Sequence, residues 1–152
     1  MSKRVITTAT YAGNAHDIFR SALMFSELSG AMSGLARYEG LPDHPVKTGD
    51  TYIVNITVWK VFKTKNYEIY IADLDEDACL LKSQEKGGAI TRWEHNLSVR
   101  QEGEFAVWTD DVTFNAGVLT PFMAHFCAYM YKRRHKYRKA LSIKTDMRSA
   151  PS

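Results

Sequence analysis

A run of alternating strand pattern over residues 51–115 stops at Ala116-Gly117, and the chain from Thr120 onward reads as one long helix. That order leaves few folds open. Thr120-Pro121 reads as an N-cap followed by the first helical position, because proline lacks the N–H that would be orphaned there. Phe122, Phe126, Met130, Tyr137 and Leu141 recur near helical spacing, which predicts an apolar helix face over residues 120–141. Such a helix is about 30 Å long, enough to cross a small sheet. A twisted antiparallel sheet with one long helix on its face encloses a wedge that few side chains can fill. The pattern therefore predicts a binding cavity.

The upstream segments complete the layout. Residues 5–11 are rich in β-branched side chains and read as a first strand. Ala12-Gly13-Asn14 breaks it, and Asn14 can cap a helix over residues 15–23. A second helical stretch at 25–34 is rich in small residues, and a short strand follows at 36–41. Further strands are expected at 51–62, 67–74, 78–85, 89–100 and 105–115, joined by polar turns at 63–66, 75–77, 86–88 and 101–104. Seven strands, two small helices after the first and one long helix at the end make an α+β chain. With 152 residues and 45% hydrophobic content, residues 1–152 are expected to form a single domain with a real core. The polar stretch 142–152 is expected to fray.

Composition removes several classes. No stretch approaches the ~20 apolar residues of a membrane span, and the first eight residues hold no apolar run long enough for a secretion signal. Cys79 and Cys127 lie far apart, without CxxC or Cys/His ligand spacing. This favours neither a disulfide framework nor a zinc site, so the default is a reducing cytoplasm, with no metal and no cofactor. Between Tyr131 and Arg148 eight Lys or Arg stand against Asp146, a net +7 in a chain of +3, which leaves −4 elsewhere. The segment is either a contact for an anionic partner or a solvated face whose cations complement the helix dipole. No stacking aromatics interleave the basic residues on a strand platform, so nucleic acid is not the expected partner.

Strand parity points to a site. Trp93, His95, Leu97 and Val99 share one face; Ala106, Trp108, Asp110, Val112 and Phe114 share another. With Glu102-Gly103 as a two-residue turn, Val99 would face Ala106, Leu97 Trp108, His95 Asp110 and Trp93 Val112, all inward. A histidine and a carboxylate would then meet on an apolar surface. They could be a mutually satisfied polar pair, a ligand anchor or an acid/base dyad in which Asp110 orients His95. Residues 51–62 leave their inward face open: Asn55, Thr57 and Trp59 resemble a cavity wall, while Tyr52, Val54, Ile56 and Val58 resemble plain core. The candidate ligand-binding set is Trp59, Trp93, His95, Trp108, Asp110, Phe122 and Phe126, with Tyr129 sharing the helix face of the last two. His16, His44, His125 and His135 lack metal-ligand spacing and read as surface or helix-packing residues.

The order of elements, together with Trp93-Glu-His95, Thr109-Asp110-Asp111-Val-Thr-Phe-Asn-Ala-Gly117 and Tyr131-Lys-Arg-Arg134-His135-Lys-Tyr-Arg138, resembles the SRPBCC or START-like superfamily with its helix-grip fold. The last motif is similar to the helix end in uncharacterised bacterial members. This resemblance implies a protein that binds a small hydrophobic ligand (lipid, polyketide or quinone-like) between sheet and helix. It leaves open a polyketide cyclase/dehydratase-type reaction at His95 and Asp110, and supplies no catalytic motif. A third reading, an interaction module that docks its basic helix end on an anionic partner, rests on charge alone.

Overall fold

The computed structural model describes residues 2–149, with side chains up to Lys139. Seven antiparallel strands form one sheet: β1 (Lys3–Ala12), β2 (Ala36–Glu39), β3 (Thr51–Val58), β4 (Phe62–Asp75), β5 (Leu80–Gly87), β6 (Ile90–Glu102) and β7 (Phe105–Asn115). Their order across the sheet is β1-β7-β6-β5-β4-β3-β2, so β1 closes against the last strand and β2 forms the other edge. Helices α1 (Ala15–Ala22) and α2 (Phe25–Ala31) follow β1, and α3 (Thr120–Ser149) ends the described chain. This is the expected α+β helix-grip arrangement.

Local chemistry sets the element ends. Asn14 caps α1 by accepting from the N–H groups of His16 and Asp17 at 2.9 and 3.2 Å. Thr120 does not act as the expected N-cap. It is already helical and fully buried, and its hydroxyl donates to the Gly117 carbonyl at 2.7 Å while accepting from the Ala116 N–H at 3.0 Å. It thereby braces the short 3-10 turn Gly117–Leu119 that redirects the chain into α3. The helix runs past Leu141 to Ser149. The fraying expected over 142–152 falls where side chains, and from Ala150 the backbone too, lie outside the described residues.

The β4–β5 and β5–β6 turns, at 76–79 and 88–89, fall one or two residues later than expected, and the other two hairpins differ in ways that move register or strand ends. The β6–β7 turn is Gly103-Glu104, with Glu102 opposite Phe105, because the glycine supplies the positive φ (61°) that the first turn position needs. The register therefore slips by two: His95 pairs with Val112, Leu97 with Asp110, Val99 with Trp108 and Trp93 with Phe114. A slip of two preserves every inward face, since the side-chain period is two. The β3–β4 turn comes earlier than expected, at Trp59-Lys60-Val61, with Trp59 and Lys60 both left-handed (φ 51° and 60°). The polar run 63–66, read as a turn, is strand that ends in a bulge where Asn66 (φ 55°) donates its N–H to the Asn55 side chain at 3.0 Å.

The buried face of α3 is also rotated from the aromatic stripe. Ala124, Cys127, Tyr131, Arg134 and His135 are buried, whereas Phe122 and Tyr129 are exposed and Phe126 and Met130 lie between. Lys132, Lys136 and Lys139 are exposed, as a solvated face requires. Phe126→Ala is accordingly expected to cost less than the ~3–5 kcal/mol of a fully buried phenylalanine, and Lys136→Ala to stay within about ±0.5 kcal/mol. Chemical unfolding of both variants checks this; a Phe126 loss in the full range would mean that side chain is core.

A candidate ligand cavity with a polar floor

A cavity of about 460 Å³ opens between the concave face of the sheet, α1–α2 and the first half of α3. Its walls are largely apolar, from Leu23, Met32, Ile56, Val58, Ile69, Ile71, Leu97 and Met130 among others. The mouth is rimmed by Trp59, Phe62, Leu119 and Phe122, all exposed to solvent. Ile56 and Val58, rather than Asn55 and Thr57, carry the β3 wall. Trp59 reaches the cavity only because it sits in the left-handed turn, outside strand alternation, where it packs edge-on against Phe62 and Phe126 at 6.0 Å each.

Of the seven candidate residues, Trp59, Trp93, His95, Phe122 and Phe126 line the cavity; Trp108 and Asp110 do not. Both of the latter are fully buried behind it. His95 Nε2 lies 2.8 Å from Asp110 Oδ1, although the two residues are diagonal neighbours and not opposite one another. The second oxygen of Asp110 meets His135 Nε2 at 3.3 Å, and His135 Nδ1 lies 2.6 Å from the Tyr11 hydroxyl. A carboxylate only accepts, so each imidazole must present an N–H to it. In a neutral His135 the remaining nitrogen then accepts from the Tyr11 O–H. Burial disfavours the charge on Asp110, but the bonds from His135 and His95 outweigh it and hold that carboxyl well below the usual carboxylate range. Burial pushes the Tyr11 phenol up to about 12, which keeps it a donor.

The basic run of α3 is only partly solvated. Arg134 is buried and forks onto Glu27, with Nε and Nη2 at 3.0 and 2.7 Å from Oε2, and also donates to the Ala22 carbonyl. Arg133 donates to the carbonyls of Ala31 and Ser33 at the end of α2. Arg138 bonds Ser21 and, with Arg134, covers the Trp108 ring at 4.8 and 4.9 Å. These arginines fasten α1 and α2 to α3. His135, read as a surface or packing residue, is the buried bridge between Tyr11 and Asp110.

The cavity floor contains one carboxyl that sequence reasoning missed. Ser83 and Glu85 alternate on the inward face of β5, and Glu85 pairs directly with Trp93 of β6. Glu85 accepts from the Tyr67 hydroxyl at 2.9 Å and from the Ser83 hydroxyl at 3.0 Å. Tyr67 can lie there because Gly87 has no Cβ: one would come within 2.7 Å of its ring. Burial raises the Glu85 carboxyl above its ordinary value, opposed by His95, Tyr67 and Ser83. The inward pairing Trp93–Glu85 was the available signal, but β5 carries too little apolar alternation to fix its register from sequence. The Cys127 thiol, on the buried face of α3, is pushed up to about 12 by desolvation first of all, which suits packing rather than nucleophilic chemistry. Among the described residues no group of three or more His, Cys, Asp or Glu side chains is arranged to hold a metal ion, and no helix is long and apolar enough to cross a membrane.

No family model matches the chain, and no curated protein matches it. Solved structures do. A protein from Chromobacterium violaceum superposes with a TM-score of 0.71 at 11% identity, over 91% of this chain and 95% of that one. A protein from Thermus thermophilus gives 0.65 at 15% identity, over 92% and 99%. Truncated norcoclaurine synthase from Thalictrum flavum gives 0.65 at 16% identity, over 90% and 92%. At such identities it is the path of the backbone that is shared, and with the sheet order and the long helix α3 it shows that this chain has the SRPBCC, or START-like, helix-grip fold.

Proposed function

We propose that this protein binds one small, mainly apolar molecule (lipid, polyketide or quinone-like) in the cavity between the sheet and α3. The observation that carries the reading is the 460 Å³ cavity itself, apolar-walled, open at an exposed aromatic rim and left unfilled by the protein's own side chains. A packed core would close such a space, since interiors are dense and voids are costly. Native mass spectrometry of freshly purified protein is expected to show a co-purified small molecule or, after stripping, one equivalent of an added naphthalene, 2-naphthol or 2-acetonaphthone. Leu81→Trp, which places an indole in the cavity, is expected to abolish that uptake while the fold persists by circular dichroism. Wild type that takes up no apolar molecule under either condition would overturn the reading. Both cysteines are free thiols, and we place the protein in the cytoplasm on that ground.

One observation favours a second reading, acid/base catalysis of the cyclase/dehydratase type: His95 lines the cavity while its Nε2 is fixed by an ionised Asp110. Turnover of a bound carbonyl compound that His95→Ala abolishes, with binding retained, would favour it. Binding without turnover favours the first. The interaction-module reading loses three of its cations, because Arg133, Arg134 and Arg138 are engaged with α1 and α2.

A further inference from the structure

We infer that the ligand of this cavity carries a hydrogen-bond-donating head, a phenolic or enolic hydroxyl or an ammonium, seated on the carboxyl of Glu85. The inference rests on the binding proposal above and deepens it. In a space walled by aliphatic and aromatic groups, the few polar atoms decide which ligand and which orientation are accepted.

The two hydroxyls that touch Glu85 have no hydrogen to spare, although Tyr38, Thr64, Tyr131 and Arg134 line other parts of the cavity. Tyr67 and Ser83 each have a single hydroxyl hydrogen, and each gives it to a different oxygen of Glu85, at 2.9 and 3.0 Å. His95 commits its Nε2 to Asp110 at 2.8 Å. A carboxylate has about four acceptor positions, so Glu85 keeps about two for a guest. The surroundings hold it in place: Gly87 lets the Tyr67 ring lie close, and Trp93, its cross-strand partner, walls the same floor. Burial lifts the carboxyl above its ordinary value, and a donor head would relieve that cost by restoring the lost solvation. A ligand ending in a carboxylate would set a second negative group beside Glu85, and a ketone at that position would find the Tyr67 and Ser83 hydrogens already given to Glu85. The geometry thus selects by the sign of hydrogen bonding as well as by shape.

Three probes of the same naphthalene body separate the possibilities: 2-naphthol as neutral donor, 2-naphthylmethylammonium as cationic donor and 2-acetonaphthone as acceptor only. Each is titrated by calorimetry into ligand-stripped wild type, Glu85→Gln and Glu85→Leu, with unfolding midpoints recorded for all three proteins. At least one donor probe is expected to bind wild type tenfold or more tightly than the ketone. Glu85→Leu should erase the preference, and Glu85→Gln should weaken the ammonium more than the naphthol. Preference for naphthol alone or for the ammonium alone identifies the head and supports the assignment. Equal binding of all three probes to wild type, a preference for the ketone, or a donor preference that survives Glu85→Leu overturns it while leaving the cavity reading intact. No binding of any probe to wild type overturns both. If Glu85→Leu fails to fold, Glu85→Gln decides alone, and an undiminished ammonium preference there counts against the proposal.

Discussion

Replacing Arg134 by alanine is expected to destabilise the fold by roughly 3–5 kcal/mol, the usual cost of breaking a buried ion pair from one side. Arg134 and Glu27 expose only 7% and 12% of their side chains. Without the guanidinium, the Glu27 carboxylate stays in place without its two hydrogen bonds, the Ala22 carbonyl loses a donor, and Trp108 loses one of its two cationic covers. Arg138, 3.7 Å from the other oxygen of Glu27, only partly compensates. The loss comes mainly from the charge left behind, so the double change Arg134→Met with Glu27→Leu should recover much of it. Urea unfolding of the single and double variants tests this. A loss below about 1 kcal/mol in Arg134→Ala would mean the pair is solvated and does not fasten α1 and α2 to α3.

The fold was legible because its evidence is periodic. Inward and outward faces of β6 and β7 follow from alternation alone, and they survived a turn misplaced by one residue because the resulting slip was two. Hence His95 and Asp110 still meet, diagonally rather than squarely. The site was legible only where a residue type announces burial. Arg134 and His135 sit within a basic run, and the mean tendency of such residues is to be solvated; only Glu27 on α2 and Asp110 on β7, remote in sequence, draw them inward. Trp59 reaches the cavity through a left-handed turn that no alternation rule covers. Glu85 escaped because a Glu in a polar strand looks like the solvent face until its register with Trp93 is known.

Asp110→Asn is expected to cost about 3 kcal/mol near neutral pH, because two charge-assisted bonds of roughly 1.5–3 kcal/mol each are weakened while the cost of burying a charge is removed. A carboxylate accepts from both histidines, whereas an amide offers one acceptor and one donor, so one of His95 and His135 must change tautomer or lose its bond. The dependence on acid carries a definite sign. The folded carboxyl is held below the ~3.9 of an unfolded aspartate. Its contribution is therefore complete above that unfolded value and is lost as pH falls from about 4 toward the lower folded one. Asp110→Asn has no such titration. The stability gap between wild type and variant should be widest at pH 6–7 and narrow steadily below about pH 4. Other carboxyls titrate in both proteins and cancel in the difference. Urea midpoints at half-unit steps from pH 2 to 7 provide the measurement. Curves that stay parallel throughout would show that Asp110 is not held ionised by its two histidines, and the orientation of His95 at the cavity wall would need another cause.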